Sequence, residues 1–142
     1  MSKLGLAIAI TAEAFKDKTD KGGAPYILHC LFVMDNTDGD ECTKCAAVMH
    51  DLVEDCSDKY NFNLLSKMGF SEKTIGLLYL VTHREGTPYM DYIKALSVDQ
   101  DAKKIKRADL RHNTDITRLK GLRKKDHERM EKYHTAWVYL SD

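Results

Sequence analysis

Proline is scarce in this 142-residue chain: there are two, beside eight glycines and a single tryptophan. That scarcity excludes long linkers, collagen-like repeats and Pro/Gly-rich disordered segments. No apolar run approaches the roughly 18 residues that a membrane span needs, so no membrane partner is expected. The 22 basic and 22 acidic residues cancel, which leaves no bulk attraction to nucleic acid or to an anionic surface. No internal repeat, low-complexity run or alternating apolar/polar strand of useful length is present. Cysteine is limited to Cys30, Cys42, Cys45 and Cys56. The Cys42–Cys45 pair lacks a second CxxC or histidine pair to complete a zinc set, so reduced thiols in or near a core are expected. That favours a reducing, cytoplasmic setting. The apolar stretch at 4–10 is shorter than a secretion signal of roughly 15–30 residues and reads instead as part of a first amphipathic helix.

What is present is helical rhythm. With 43% hydrophobic and 31% charged residues, the chain reads as one soluble all-α domain over 1–142, with seven or eight helices. The spacing predicts helices at about 3–16, 26–34, 41–55, 61–68, 71–82, 89–97, 99–119 and 125–140. Asp20 to Pro25 reads as a turn, with Pro25 opening the second helix. The break from His83 to Pro88 reads as a helix-ending loop, with the rim of a binding site as the alternative. Tyr133 and Trp137 read as core or oligomer-contact residues. From Lys103 to Lys125 ten basic residues stand against Asp109 and Asp115, either a solvated helix face or a site for an anionic ligand.

Chemistry shows where ionisable residues interrupt apolar stripes. Ile105, Asp109, His112, Ile116 and Leu119 follow spacings of four, three, four and three, which sets Asp109 on an inward helix face. A carboxylate there needs a salt bridge or a cation. Ala46, His50 and Val53 repeat the pattern, with Asp51 about 100° round the helix from His50 and Glu54 one turn on. His29 lies inside the most apolar helix in the chain. One cation satisfies all of these intrusions at once. Two imidazoles and two carboxylates suit Mn²⁺, Fe²⁺ or Zn²⁺ better than a thiolate-preferring ion. Lys106, Arg107 and Arg111 flank Asp109 and are placed to meet phosphate charge or to face solvent.

Three segments together resemble a known family. They are Gly23-Ala24-Pro25-Tyr26-Ile27-Leu28-His29, Ala46-Ala47-Val48-Met49-His50-Asp51-Leu52-Val53-Glu54-Asp55 and Ile105-Lys106-Arg107-Ala108-Asp109-Leu110-Arg111-His112-Asn113. In order and spacing the chain resembles, over about residues 10–120, the HD-type hydrolase domain of the stringent-response alarmone synthetase–hydrolases and the small alarmone hydrolases. The resemblance implies an HD-type helical fold and one Mn²⁺ held by His29, His50, Asp51 and Asp109. It implies that Glu54 and Asp55 position or activate the attacking water and that Asn113 lies near ribose and phosphates. It also implies that the loop before His29, with Lys21 and Tyr26, helps bind a nucleotide. The implied reaction removes the 3′-pyrophosphate of guanosine tetra- or pentaphosphate.

The chain also departs from that pattern. Asp20-Lys21 stands where the family has Arg-Lys, and aspartate can neither stack on guanine nor attract phosphate. Phe15 and Asp17-Lys18 replace the upstream His and Gly-Gln, and Cys30 replaces a proline. The metal set is intact while the base-reading set is altered. Two alternatives therefore stand beside alarmone hydrolysis: phosphohydrolysis of another nucleotide or of a dinucleotide cofactor carrying a ribose phosphate, and an HD protein that binds a nucleotide without turning it over.

Overall fold

The computed structural model describes residues 2–141. Its elements are α1 (Leu4–Ala14), α2 (Ile27–Asp35), α3 (Glu41–Val48), α4 (Leu52–Asp55), α5 (Phe62–Lys67), α6 (Glu72–Val81), α7 (Tyr89–Leu96), α8 (Gln100–Asn113) and α9 (Lys124–Leu140), with a 3₁₀ turn at Ile116–Arg118. Among the described residues there is no strand; Thr19 and Pro25 form one isolated bridge. The all-helical bundle expected from the periodicity is what forms. No helix among the described residues is long and apolar enough to cross a membrane.

Local chemistry sets several helix starts. Asp40 Oδ1 accepts the Thr43 amide at 2.9 Å, Asn61 Oδ1 the Leu64 amide at 2.8 Å, Ser71 Oγ the Thr74 amide at 3.2 Å, and Asp99 Oδ1 the Asp101 and Ala102 amides. Each such cap contributes about 1 kcal/mol by satisfying otherwise orphaned donors. α3 forms the hub, packing on α1, α2, α6 and α8. Its Cys45, Ala46, Ala47 and Val48 are buried, and side chains this small let neighbouring helices approach from several directions. All four cysteines are free, with Cys30 and Cys45 buried.

Two expected helices end early, and each early end matters to the site. The helix expected at 41–55 breaks at 49–51. His50 turns its ring onto the Ala47 carbonyl, with Nδ1 to O at 2.8 Å, and so occupies the acceptor that the next helical amide would use. The chain turns through Met49 and resumes as the single turn α4. The helix expected at 99–119 stops at Asn113. There Arg118 Nη1 donates to the His112 carbonyl at 2.9 Å, and Asp115 Oδ1 accepts the Thr117 amide at 3.0 Å, which favours the 3₁₀ turn over more α-helix. Ile116, expected on the inward stripe, is half exposed as a result.

Candidate metal centre

Three separate parts of the chain deliver one polar cluster. α2 carries His29 on its buried face, the α3–α4 break carries His50 and Asp51, and α8 carries Asp109. His29 Nε2 lies 2.9 Å from Asp109 Oδ1 and 3.9 Å from Asp51 Oδ2. His50 Nε2 lies 3.1 Å from Asp51 Oδ2 and 3.3 Å from Asp109 Oδ1. One ligand atom each from His29, His50 and Asp51 fall within 4.8 Å of one another. Such separations match in size those between neighbouring ligands of an ion whose bonds are about 2.1 Å long.

The decisive atom is His50 Nε2. With Nδ1 donating to Ala47, Nε2 is the lone-pair nitrogen of the neutral ring. It is buried and has no hydrogen-bond partner, although two carboxylate oxygens stand close by. A buried lone pair facing carboxylates is unfavourable unless a proton or a cation lies between them. Without an ion, a proton serves. Burial pulls His50 down, but Asp51 and then Asp109 outweigh it and hold its pKa well above the ordinary imidazole value. The acids respond in the opposite sense. Burial pushes both up, yet His50 holds Asp51 low, and Lys106 followed by His50 holds Asp109 well below the usual carboxylate range. The orphaned nitrogen and the grouped donors of His29, His50 and Asp51 suit a borderline divalent ion such as Mn²⁺, Fe²⁺ or Zn²⁺, with Asp109 outside that group of three but in contact with both imidazoles.

Several neighbours hold these four groups in place. Lys106 Nζ contacts Asp109 Oδ2 at 2.8 Å, and Asn113 Nδ2 donates to Asp109 Oδ1 at 2.9 Å. Tyr26 donates its hydroxyl to Asp51 Oδ2. Lys106, Asn113 and Tyr26, expected to bind substrate, thus contact carboxylates of the cluster while also lining its cavity. His112 meets His29 Nδ1 at 2.7 Å through its own Nδ1 and lies against Phe32, with ring centroids 4.0 Å apart. Burial and then the Arg118 guanidinium push the His112 pKa down to about 4.

Glu54 and Asp55 part company. Glu54 faces the cavity, where Oε1 accepts the His83 amide at 2.8 Å, and burial raises its pKa despite that bond. Asp55 also borders the cavity, but its Oδ2 is engaged by Lys18 at 2.9 Å. Arg107 and Arg111, about 100° and about 140° round α8 from Lys106, lie elsewhere: Arg107 over Trp137 and Arg111 beside Asn36 and Phe32. Of the three cations flanking Asp109, Lys106 alone lines the cavity.

That cavity measures about 290 Å³. A second, of about 280 Å³, adjoins it across a wall of Tyr26, Asn113 and Tyr133 and is bordered by Lys18, Lys21, Arg118 and Arg129. Tyr133, expected in the core or at an oligomer contact, therefore lines both. Asp20 is tied into the second wall. Its Oδ1 accepts the Gly22 and Ala24 amides, each at 2.9 Å, and its Oδ2 accepts Arg118 Nη2 at 2.9 Å. The loop lies so close to the Arg118 backbone that a Cβ on Gly22 would stand 1.9 Å from the Arg118 carbonyl oxygen. Sequence reasoning missed Lys18, Tyr89 and Lys132 as parts of the site. The buried Tyr89 hydroxyl has no hydrogen-bond partner, and Lys132 Nζ lies 4.8 Å from the Tyr89 ring centre, both on the cavity wall. Nothing local marks Tyr89 or Lys132, which reach the cavity from segments remote from the cluster, while Lys18 borders the adjoining cavity from the segment before His29.

No protein-family model matches the chain, and no curated protein is significantly similar to it.

Proposed function

We propose that the chain is a metal-dependent phosphohydrolase of nucleotides. The observation that carries this reading is the buried, partnerless His50 Nε2 facing Asp51 and Asp109, with His29 closing on the same point. A divalent ion held by these four side chains would supply Lewis acidity, making water a stronger acid and offsetting charge on phosphoryl oxygens. The chain's own groups account for the rest. Glu54, raised by burial and held by the His83 amide, is placed to take the proton as water attacks phosphorus, and the bond from phosphorus to the ribose oxygen breaks with that oxygen taking up a proton from solvent. Lys106 and Lys132 put cationic charge on the cavity wall, and the adjoining cavity offers room for the remainder of a nucleotide.

The resemblance makes guanosine tetra- or pentaphosphate, losing its 3′-pyrophosphate, the leading substrate. Asp20 favours keeping a second one in view. With both carboxylate oxygens engaged it offers nothing to a guanine base, which leaves room for another nucleotide or a dinucleotide cofactor carrying a ribose phosphate. The test is to incubate the Mn²⁺-loaded protein with both classes of substrate and to measure released pyrophosphate and phosphate. Release from one class, abolished by Asp109→Ala, is the expected result. Nucleotide binding without release from any compound would leave the non-catalytic binder and overturn the hydrolase reading.

A further inference from the structure

His29 is gripped at both ring nitrogens by one helix. Nε2 faces Asp109 Oδ1 at 2.9 Å, and Nδ1 faces His112 Nδ1 at 2.7 Å; Asp109 and His112 are three residues apart on α8. The His29 and His112 rings lie within 9° of parallel with centroids 5.0 Å apart, the spacing that two imidazoles give when they meet edge to edge, nitrogen to nitrogen. Phe32, one turn beyond His29 on α2, lies within 14° of parallel to His112 and holds its plane. A nitrogen-to-nitrogen contact this short needs one hydrogen, so one nitrogen donates and the other accepts.

We propose that His112 is a positioning residue that accepts the His29 Nδ1 hydrogen when a cation replaces the hydrogen between His29 Nε2 and Asp109, and thereby presents the Nε2 lone pair to that cation. The inference rests on the metal reading above and assigns His112 no contact with substrate. The hydrogens balance within the pair. When the Nε2 lone pair is used, the His29 hydrogen sits on Nδ1, His112 Nδ1 accepts it, and the hydrogen of His112 sits on its own Nε2. His50 is set the same way by a different acceptor, the Ala47 carbonyl. Each imidazole thus has its Nδ1 hydrogen committed, one to backbone and one to a side chain. Only the second can be removed by substitution. Outer-shell partners of this kind typically change metal affinity by about 10- to 100-fold.

The test uses full-length protein, Zn²⁺ as the diamagnetic probe for ¹⁵N NMR, and Mn²⁺ and Zn²⁺ in competition titrations. Expected in the wild type are an Nδ1–H tautomer for zinc-loaded His29 and a scalar coupling across the His29–His112 hydrogen bond, observable without metal as well. His112→Phe, which keeps a flat ring on Phe32 but removes the acceptor, weakens both ions by about 10- to 100-fold, and His112→Gln restores most of the loss. His112→Phe with wild-type affinity, or zinc-loaded His29 carrying its hydrogen on Nε2, overturns the proposal, as does a wild type that binds neither ion. If His112→Phe fails to fold, His112→Gln and the wild-type coupling still decide it. Protein that binds metal as expected yet turns over no nucleotide sinks the hydrolase reading and leaves the role of His112 standing.

Discussion

Replacing Lys106 with methionine tests where positive charge belongs in this site. The lysine side chain is largely but not fully buried and its ammonium lies 2.8 Å from Asp109 Oδ2, and Asp109 outweighs the cost of burial to hold Lys106 well above the ordinary lysine value. Methionine fills similar space without the charge, so the Asp109 carboxylate loses its largest source of stabilisation. Breaking a buried pair by removing one partner costs about 3–5 kcal/mol. Asp109 keeps Asn113 and two imidazoles, which brings the expected loss somewhat below that range, to about 2–4 kcal/mol. For a chain of this length that lowers Tm by roughly 5–15 °C in EDTA. Mn²⁺ then replaces part of the missing charge. At 100 times its Kd an ion adds about 2.7 kcal/mol to any protein that binds it only when folded, and Lys106→Met gains more if the cation relieves Asp109. The assay is thermal unfolding by circular dichroism, with EDTA and with saturating Mn²⁺. A Mn²⁺ shift in the variant no larger than that of the wild type would refute the reasoning, because the ion would then lie away from Asp109.

Three further outcomes follow from the same geometry. Glu54→Gln keeps the ion and loses about 10²- to 10⁴-fold in turnover, and loss of Mn²⁺ in a titration would instead make Glu54 a ligand. Because His50 is raised above its ordinary 6.5, its charge stabilises the ion-free fold fully below that pH, and the contribution fades as pH rises through the folded value. The Mn²⁺-induced Tm shift should therefore grow from pH 6 to pH 9 as the competing proton leaves, and a flat profile would show that ion and proton do not share the site. Gly22→Ala forces the Arg118 backbone away from the loop and should destabilise the fold by about 1–3 kcal/mol, read by urea unfolding, while Gly5→Ala, on α1 with open space around it, should stabilise it by up to about 1 kcal/mol.

The buried polar cluster was legible because burial and ionisation conflict. A histidine amid apolar residues in α2 and an aspartate on the inward stripe of α8 are visible from periodicity alone. The break at 49–51 was hidden for the same reason. Ala46, His50 and Val53 keep a helical spacing straight through it, and the interruption comes from a side-chain-to-carbonyl bond that periodicity does not encode. Asp55 meets Lys18 while Glu54 meets His83, because adjacent residues of α4 face about 100° apart. Charge density near Asp109 could not separate Lys106 from Arg107 and Arg111, because a small rotation about the helix axis separates cavity from outer surface. The site wall supplied by Tyr89, Lys132 and Tyr133 arises from α7 and α9 packing together, a tertiary fact with no local signature.

The double hold on His29 also has a consequence for assembly. α2 and α8 meet through one imidazole whose two edges must find two side chains a single turn apart. A slip of either helix by one residue, about 1.5 Å along its axis, unseats both contacts together. A chain with these helices out of register has no complete polar cluster, so an ion bound at the proposed site would discriminate correctly seated molecules from near-native ones and would stabilise only the former.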